Sequence, residues 1–229
     1  RCAGAFVNRG NARVNKGDLD GAIADYSAAL QINPGDAAVL QNRGEIRHSK
    51  GDVDGALADY DALLEINPRD AVTLANRGKV RHVNGDIGGA LADWEKALEI
   101  NPNDVDTLNN RGAARFEQGD REGAIGDFDE ALKINPKGGN ALSNRGIARA
   151  ATGDLDGAIS DFDEALKIDP KNANSHYNLA CSHARRSVGK SGANAEERSV
   201  SPQEVARHRD SAFDHISMAI DFGWSDGAH

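Results

Sequence analysis

The chain has 229 residues and a formal net charge of -9, from 27 basic and 36 acidic side chains, so it lacks the clustered cations that neutralise a phosphate backbone, and nucleic acid is excluded as a partner. No apolar run approaches the roughly 20 residues that a membrane-spanning helix requires, and no signal-peptide pattern is visible, so no membrane insertion is expected. Hydrophobic content is 39%, aromatics are 5% and glycine occurs 25 times, a composition that suits stacked helices with small side chains between close backbones.

Taken in chain order, the triplet Asn8-Arg9-Gly10 opens a pattern that returns at Asn42-Arg43-Gly44, Asn76-Arg77-Gly78, Asn110-Arg111-Gly112 and Asn144-Arg145-Gly146, a constant step of 34 residues. A fixed period of this size marks a repeat array, so the elements of one unit describe the rest. The first helix of unit one is predicted from about Ala3 to Lys16. Gly17 supplies the left-handed residue that ends a helix, and Asp18 is placed to cap the next one. The pair returns as Gly51-Asp52, Gly85-Asp86, Gly119-Asp120 and Gly153-Asp154. The second helix carries Ala22, Ile23, Tyr26, Ala29, Leu30 and Ile32, a spacing that puts one apolar stripe on a helix and does not alternate as a strand would. Asn33-Pro34 closes the unit, because proline lacks the amide hydrogen and disfavours helix in the residue before it. The same stop recurs at Pro68, Pro102, Pro136 and Pro170, after which Asp36, Asp70, Asp104 and Asn172 are candidate caps and Gly138 a weaker one.

These residues resemble the tetratricopeptide repeat, in a bacterial-type array. Gly10, Ala22 and Ala29 fall on the family's small packing positions, Tyr26 on its aromatic one and Pro34 on its closing proline. The equivalents recur in every unit, with Leu63 replacing the second alanine in unit two. The resemblance implies an all-α fold, a right-handed superhelical α-solenoid of stacked antiparallel helix pairs. Residues 1–186 would hold five complete repeats and the first helix of a sixth. A polar inserted loop is expected over 187–201, with a capping box at Ser201 to Glu204, followed by the displaced second helix of the sixth repeat and a tail over 202–229. Cys2 and Cys181 would then lie in the first and sixth units, too far apart for the roughly 7 Å Cα separation of a disulfide. Free thiols suit a reducing compartment, so a cytoplasmic location is expected. The start at Arg1 and the end after "FGWSDGAH" read as those of a trimmed or processed piece.

One residue departs from the family pattern in every unit. Gly21, Gly55, Gly89, Gly123 and Gly157 stand where a glutamate would complete a capping box. Each should weaken its helix by roughly 1 kcal/mol relative to alanine, and Gly55→Glu is therefore expected to raise the melting temperature.

The resemblance implies a groove lined by the first helices, and in this family such a groove binds peptides. In unit one the groove positions are Gly4, Val7, Asn8, Asn11, Val14 and Asn15. The candidate peptide-binding residues are Asn8, Asn11, Asn42, Glu45, His48, Asn76, Lys79, His82, Asn110, Phe116, Asn144, Ile147 and Asn178. The asparagine amide offers donors and an acceptor to an extended backbone, or else ties neighbouring helices together. Groove charges nearly cancel, so the expected ligand is a largely uncharged peptide with an apolar anchor near Phe116 and Ile147. The recurring arginines, Arg9 and Arg13 with their equivalents, are expected to pair with carboxylates such as Asp25 and Asp59, because a feature repeated in every unit serves the architecture.

The carboxylate-clamp arrangement of some family members is absent here, since Val7, Val72 and Asn76 replace its cations. Gly189-Lys190-Ser191 lacks the earlier glycine and the strand of a phosphate loop. His48 and His82 have no third metal ligand nearby. No nucleophile, base and orienting group can be assembled, so no catalysis, cofactor or metal is expected. The expected function is a scaffold that binds a protein or peptide partner. Two alternatives stand beside it, a homo-oligomerising scaffold joined through groove or ends and a regulatory arm of a larger enzyme.

Overall fold

A computed structural model describes residues 2–191, with side chains through Ser187. The capping box at Ser201 to Glu204, the displaced helix over 202–229 and the later part of the inserted loop lie outside the described residues. Among the described residues there are helices and turns and no strand.

They divide into two compact units. Unit 1, residues 1–107, holds α1 (Ala3–Asn15), α2 (Leu19–Ile32), α3 (Ala37–Ser49), α4 (Val53–Ile66), α5 (Ala71–Val83) and α6 (Ile87–Ile100). Helix α7 (Val105–Glu117) begins in unit 1 and ends in unit 2, which also contains α8 (Arg121–Ile134), α9 (Gly139–Thr152), α10 (Leu155–Ile168) and α11 (Ala173–Ser191). In unit 1 α1 packs on α2, α3 on α4 and α5 on α6 as hairpins, with α2 against α3 and α4 against α5; in unit 2 α9 packs on α10 as a hairpin, with α8 against α9 and α10 against α11.

The boundaries have local causes. Gly17, Gly51, Gly85, Gly119 and Gly153 take φ between 77° and 93°, the left-handed conformation that ends a helix without a Cβ penalty. One residue later an aspartate caps the next helix: Asp18 accepts a hydrogen bond from the Gly21 amide at 3.0 Å, and Asp52, Asp86, Asp120 and Asp154 repeat it. Asp36, Asp70, Asp104 and Asn172 cap α3, α5, α7 and α11 through first-turn amides, whereas Gly138 gives α9 no side-chain cap.

These caps account for the unusual glycines and correct the expectation for Gly55→Glu. A Cβ on Gly55 would lie 2.2 Å from Asp52 Oδ2, and the other four positions are equally close to their own caps. The cap carboxylate occupies the place of the missing methyl. Nor would a glutamate there complete a capping box, because the Asp52 amide already donates to the Arg47 carbonyl at 2.8 Å. Asp18, Asp86 and Asp120 do likewise to the preceding helix.

The second-helix aromatics form the core. Tyr26, Tyr60, Trp94, Phe128 and Phe162 are all at most 1% exposed, each with its small neighbours from the Ala22 series. Gly10 and its equivalents are what let the first helix approach: a Cβ on Gly10, Gly78, Gly112 or Gly146 would stand 2.6–2.7 Å from the aromatic ring beneath.

The last described helix differs from expectation. Helix α11 continues through Ser191, beyond the end expected at residue 186, so the first residues of the expected loop are helical.

Candidate functional site

The recurring arginines are structural in geometry. Arg9 donates from Nε and Nη2 to both carboxylate oxygens of Asp25, and Arg13 Nη1 donates to Oδ2 of the same side chain at 2.8 Å. Asp59, Asp93, Asp127 and Asp161 each receive the same two arginines of their own repeat. All five aspartates are at most 3% exposed, so each is a charge removed from water and matched by bidentate donors. The Arg9 guanidinium, with Arg13 behind it, holds the Asp25 carboxyl below the usual carboxylate range against the opposing effect of burial.

A second role of these arginines is not expected from the sequence. Arg43 Nη1 reaches back to Ser27 Oγ at 2.9 Å, Arg77 Nη1 to Asp61 at 2.7 Å and Arg145 Nη1 to Asp129 at 2.6 Å. One guanidinium thus fastens its own hairpin and the one before it. The signal was present as a hydroxyl or carboxylate sixteen residues upstream of each of these arginines.

The asparagines have the opposite character. Asn8 is exposed, and Asn42, Asn76, Asn110, Asn144 and Asn178 are half-buried. Among the described residues the side chains of Asn8, Asn42, Asn76, Asn110 and Asn144 make no hydrogen bond, and their amide atoms stay within reach of water. They do not tie neighbouring helices together.

In unit 1 the structure brings part of the predicted set into one cleft. Asn11 and Asn15 of α1, Asn42 and Glu45 of α3, and Tyr26 of α2 surround a space of about 260 Å3. The Tyr26 hydroxyl donates to Asn11 Oδ1 at 2.6 Å, and Gln41 Nε2 donates to Glu45 at 3.0 Å. Burial pushes the Tyr60 phenol up to about 12, with Glu45 and Asp59 adding to the effect. Asn15 is one of the groove positions expected in unit one, whereas the Tyr26 bond to Asn11 is not expected from the sequence.

Other candidates are placed differently. Lys79 and His48 are half-buried. His82 stands with its ring centroid 5.7 Å from that of Trp94. Phe116 packs on the cluster of Ala124, Phe128 and Ala148, and Ile147 on that of Ala158, Ile159, Phe162 and Leu179. Both already spend apolar surface on the core of unit 2, which weakens the expectation of an apolar anchor there. Among the described residues no group of three or more His, Cys, Asp or Glu side chains could hold a metal ion, and Cys2 and Cys181 are free thiols. No described helix is long and apolar enough to cross a membrane.

Profiles described as tetratricopeptide repeat match residues 37–70 and 110–173, and one described as TPR repeat matches 10–51 and 78–119. The chain belongs to the tetratricopeptide repeat family. This family is in general one of non-catalytic protein-interaction scaffolds. No curated protein matches the sequence. Among solved structures, a tetratricopeptide repeat protein from Parabacteroides merdae is similar with a TM-score of 0.73 and 22% identity, covering 98% of this chain and 94% of that one. YrrB, described as a TPR protein with an unusual peptide-binding site, is similar with a TM-score of 0.66 and 24% identity, covering 86% and 96%. MamA from Desulfovibrio magneticus is similar with a TM-score of 0.68 and 17% identity, covering 84% and 97%. At these identities the likeness bears on the fold.

Proposed function

We propose that the tetratricopeptide repeats bind an extended segment of a protein partner, without catalysis, along the faces that carry the recurring asparagines. The observation that supports this most is the unused hydrogen-bonding capacity of Asn42, Asn76, Asn110 and Asn144, half-buried amides without protein partners among the described residues. A half-buried amide with no architectural bond is available to a peptide backbone, which needs both a donor and an acceptor at regular intervals. The arginines of the same triplet are consumed by Asp25 and its equivalents, so selection among ligands falls to positions that vary between repeats. YrrB has a peptide-binding site on the same fold, which makes an extended peptide a fitting class of ligand.

The test is cross-linking and quantitative capture with the full chain beside a variant carrying Asn76→Ala, Asn110→Ala and Asn144→Ala. The variant is expected to melt within a few degrees of the parent and to lose the captured partner. A partner retained equally by both proteins rules out the asparagine face as the binding surface.

A further inference from the structure

The groove reading above, on which this inference rests, does not say what kind of side chain the ligand carries. The cleft of unit 1 narrows it. Its floor is Val14 and Ile46, its rim carries the amides of Asn11, Asn15 and Asn42, and Glu45 is the single charged residue on its lining.

Glu45 is exposed and makes no ion pair among the described residues; its one hydrogen bond comes from the neutral amide of Gln41. Lys79, at the corresponding place one repeat on, forms no ion pair with it. Elsewhere in the chain, carboxylates close to cations are engaged, as Asp52 is by Arg47 and Asp61 by Arg77. The cleft therefore presents an unmatched negative charge above an apolar floor. Asn11 is also fixed in one sense: its oxygen receives the Tyr26 hydroxyl, so its NH2 is left as a donor. That donor suits a peptide carbonyl.

We infer that this cleft receives a basic side chain, lysine or arginine, from an extended peptide. The aliphatic stem lies on Val14 and Ile46 and the cation meets Glu45. The amides of Asn11, Asn15 and Asn42 hold the peptide backbone on either side. A space of about 260 Å3 accommodates one such side chain. Long basic side chains fit this chemistry because an apolar stem and a charged tip are present in one group. An acidic ligand side chain is rejected by the same carboxylate.

The probe is the capped peptide acetyl-Ala-Leu-Lys-Leu-Ala-amide, with versions carrying Gln or Glu for Lys, titrated to millimolar concentration against the full chain. The readout is the side-chain amide resonances of Asn11, Asn15 and Asn42. The lysine peptide is expected to shift these resonances and to bind about three- to fivefold more tightly than the glutamine peptide, the range of one solvent-accessible charge pair, with the advantage shrinking as salt is added. Glu45→Gln should erase the difference, and Glu45→Lys should transfer the preference to the glutamate peptide. Equal binding of lysine and glutamine peptides at these amides overturns the charge inference and leaves the groove reading standing. Absence of any shift at the asparagine amides with all three peptides overturns both.

Discussion

Two kinds of glycine in the second helices should respond oppositely to the same methyl group. Gly126 lies on the exposed side of α8, and a Cβ there would meet nothing within 4 Å. Gly126→Ala should therefore return the whole intrinsic helix preference, about 1 kcal/mol, or about 2–4 °C in Tm for a chain of this size. Gly89 is the contrasting case. Its Cβ would stand 2.1 Å from Asp86 Oδ2 and 2.7 Å from Asp86 Cγ, closer than atoms can approach, so the carboxylate must swing away and release its 2.9 Å bond to the Gly89 amide. Loss of an N-cap costs about 1 kcal/mol, which cancels the gain, and Gly89→Ala should leave Tm nearly unchanged. In an Asp86→Ala background there is no cap to displace, and Gly89→Ala should then stabilise by about 1 kcal/mol. Thermal and urea unfolding of the four proteins in this cycle, followed by circular dichroism with Gly126→Ala as the reference, measures the coupling. A Gly89→Ala protein that gains as much as Gly126→Ala in the parent background would refute the account of these glycines as seats for the cap.

Other expectations follow from the arginine and aspartate pairs. Asp59→Ala removes a buried carboxylate bonded by Arg43 and Arg47 and should cost about 3 kcal/mol in urea unfolding, the low end for breaking a buried pair because both guanidiniums keep some exposure. By contrast, Lys133→Ala breaks an exposed pair with Glu130 and should change stability by less than about 0.5 kcal/mol. The Asp25 carboxyl is held low in the fold, so its contribution is complete above the unfolded value near 4 and is lost as pH falls through the folded one. The stability gap between the parent and Asp25→Asn should thus be constant at neutral pH and close below about pH 4.

The reach of sequence reading here has physical limits that particular residues illustrate. Gly17, Asp18 and Pro34 are legible because helix ends are decided by neighbours within a turn, and the structure places every cap of the Asp18 series where the pattern puts it. The pairing of Arg9 with Asp25 was also legible, since identical spacing in each unit leaves few other carboxylates in reach. What failed depends on atoms in space. Gly55 looked like a weak helix residue because propensity does not register that a carboxylate already fills the room for a methyl. That Phe116 and Ile147 also pack on core clusters was not legible, because periodicity assigns a face to a side chain but not its neighbours in space. Helix α11 passed its expected end where the 34-residue period would put the next left-handed glycine: Ser187 stands at that position, and the helix runs on through Gly189 to Ser191.

One relation between the core and the candidate site was visible in neither alone. The position held by Asn11 is held in later repeats by Glu45, Lys79, Ala113 and Ile147, and the aromatic residue beneath runs Tyr26, Tyr60, Trp94, Phe128 and Phe162. Where the aromatic carries a hydroxyl, the residue above it is polar, and Tyr26 bonds Asn11 directly. Trp94 directs its indole N–H to the Ala75 carbonyl. Where the aromatic is phenylalanine the residue above is apolar, and Ile147 packs on the cluster that contains Phe162. At Tyr26 and Asn11 the polarity of the candidate face is thus matched from below, by a buried ring whose polar atom the residue above satisfies. Phe162→Tyr should therefore be destabilising by about 1–3 kcal/mol, because the new hydroxyl meets Ile147 with no acceptor. Adding Ile147→Asn to it should recover most of that loss by recreating the Tyr26 and Asn11 bond. If the double variant unfolds at the same urea concentration as Phe162→Tyr alone, ring and groove residue are not coupled, and the face is set by its own first helix.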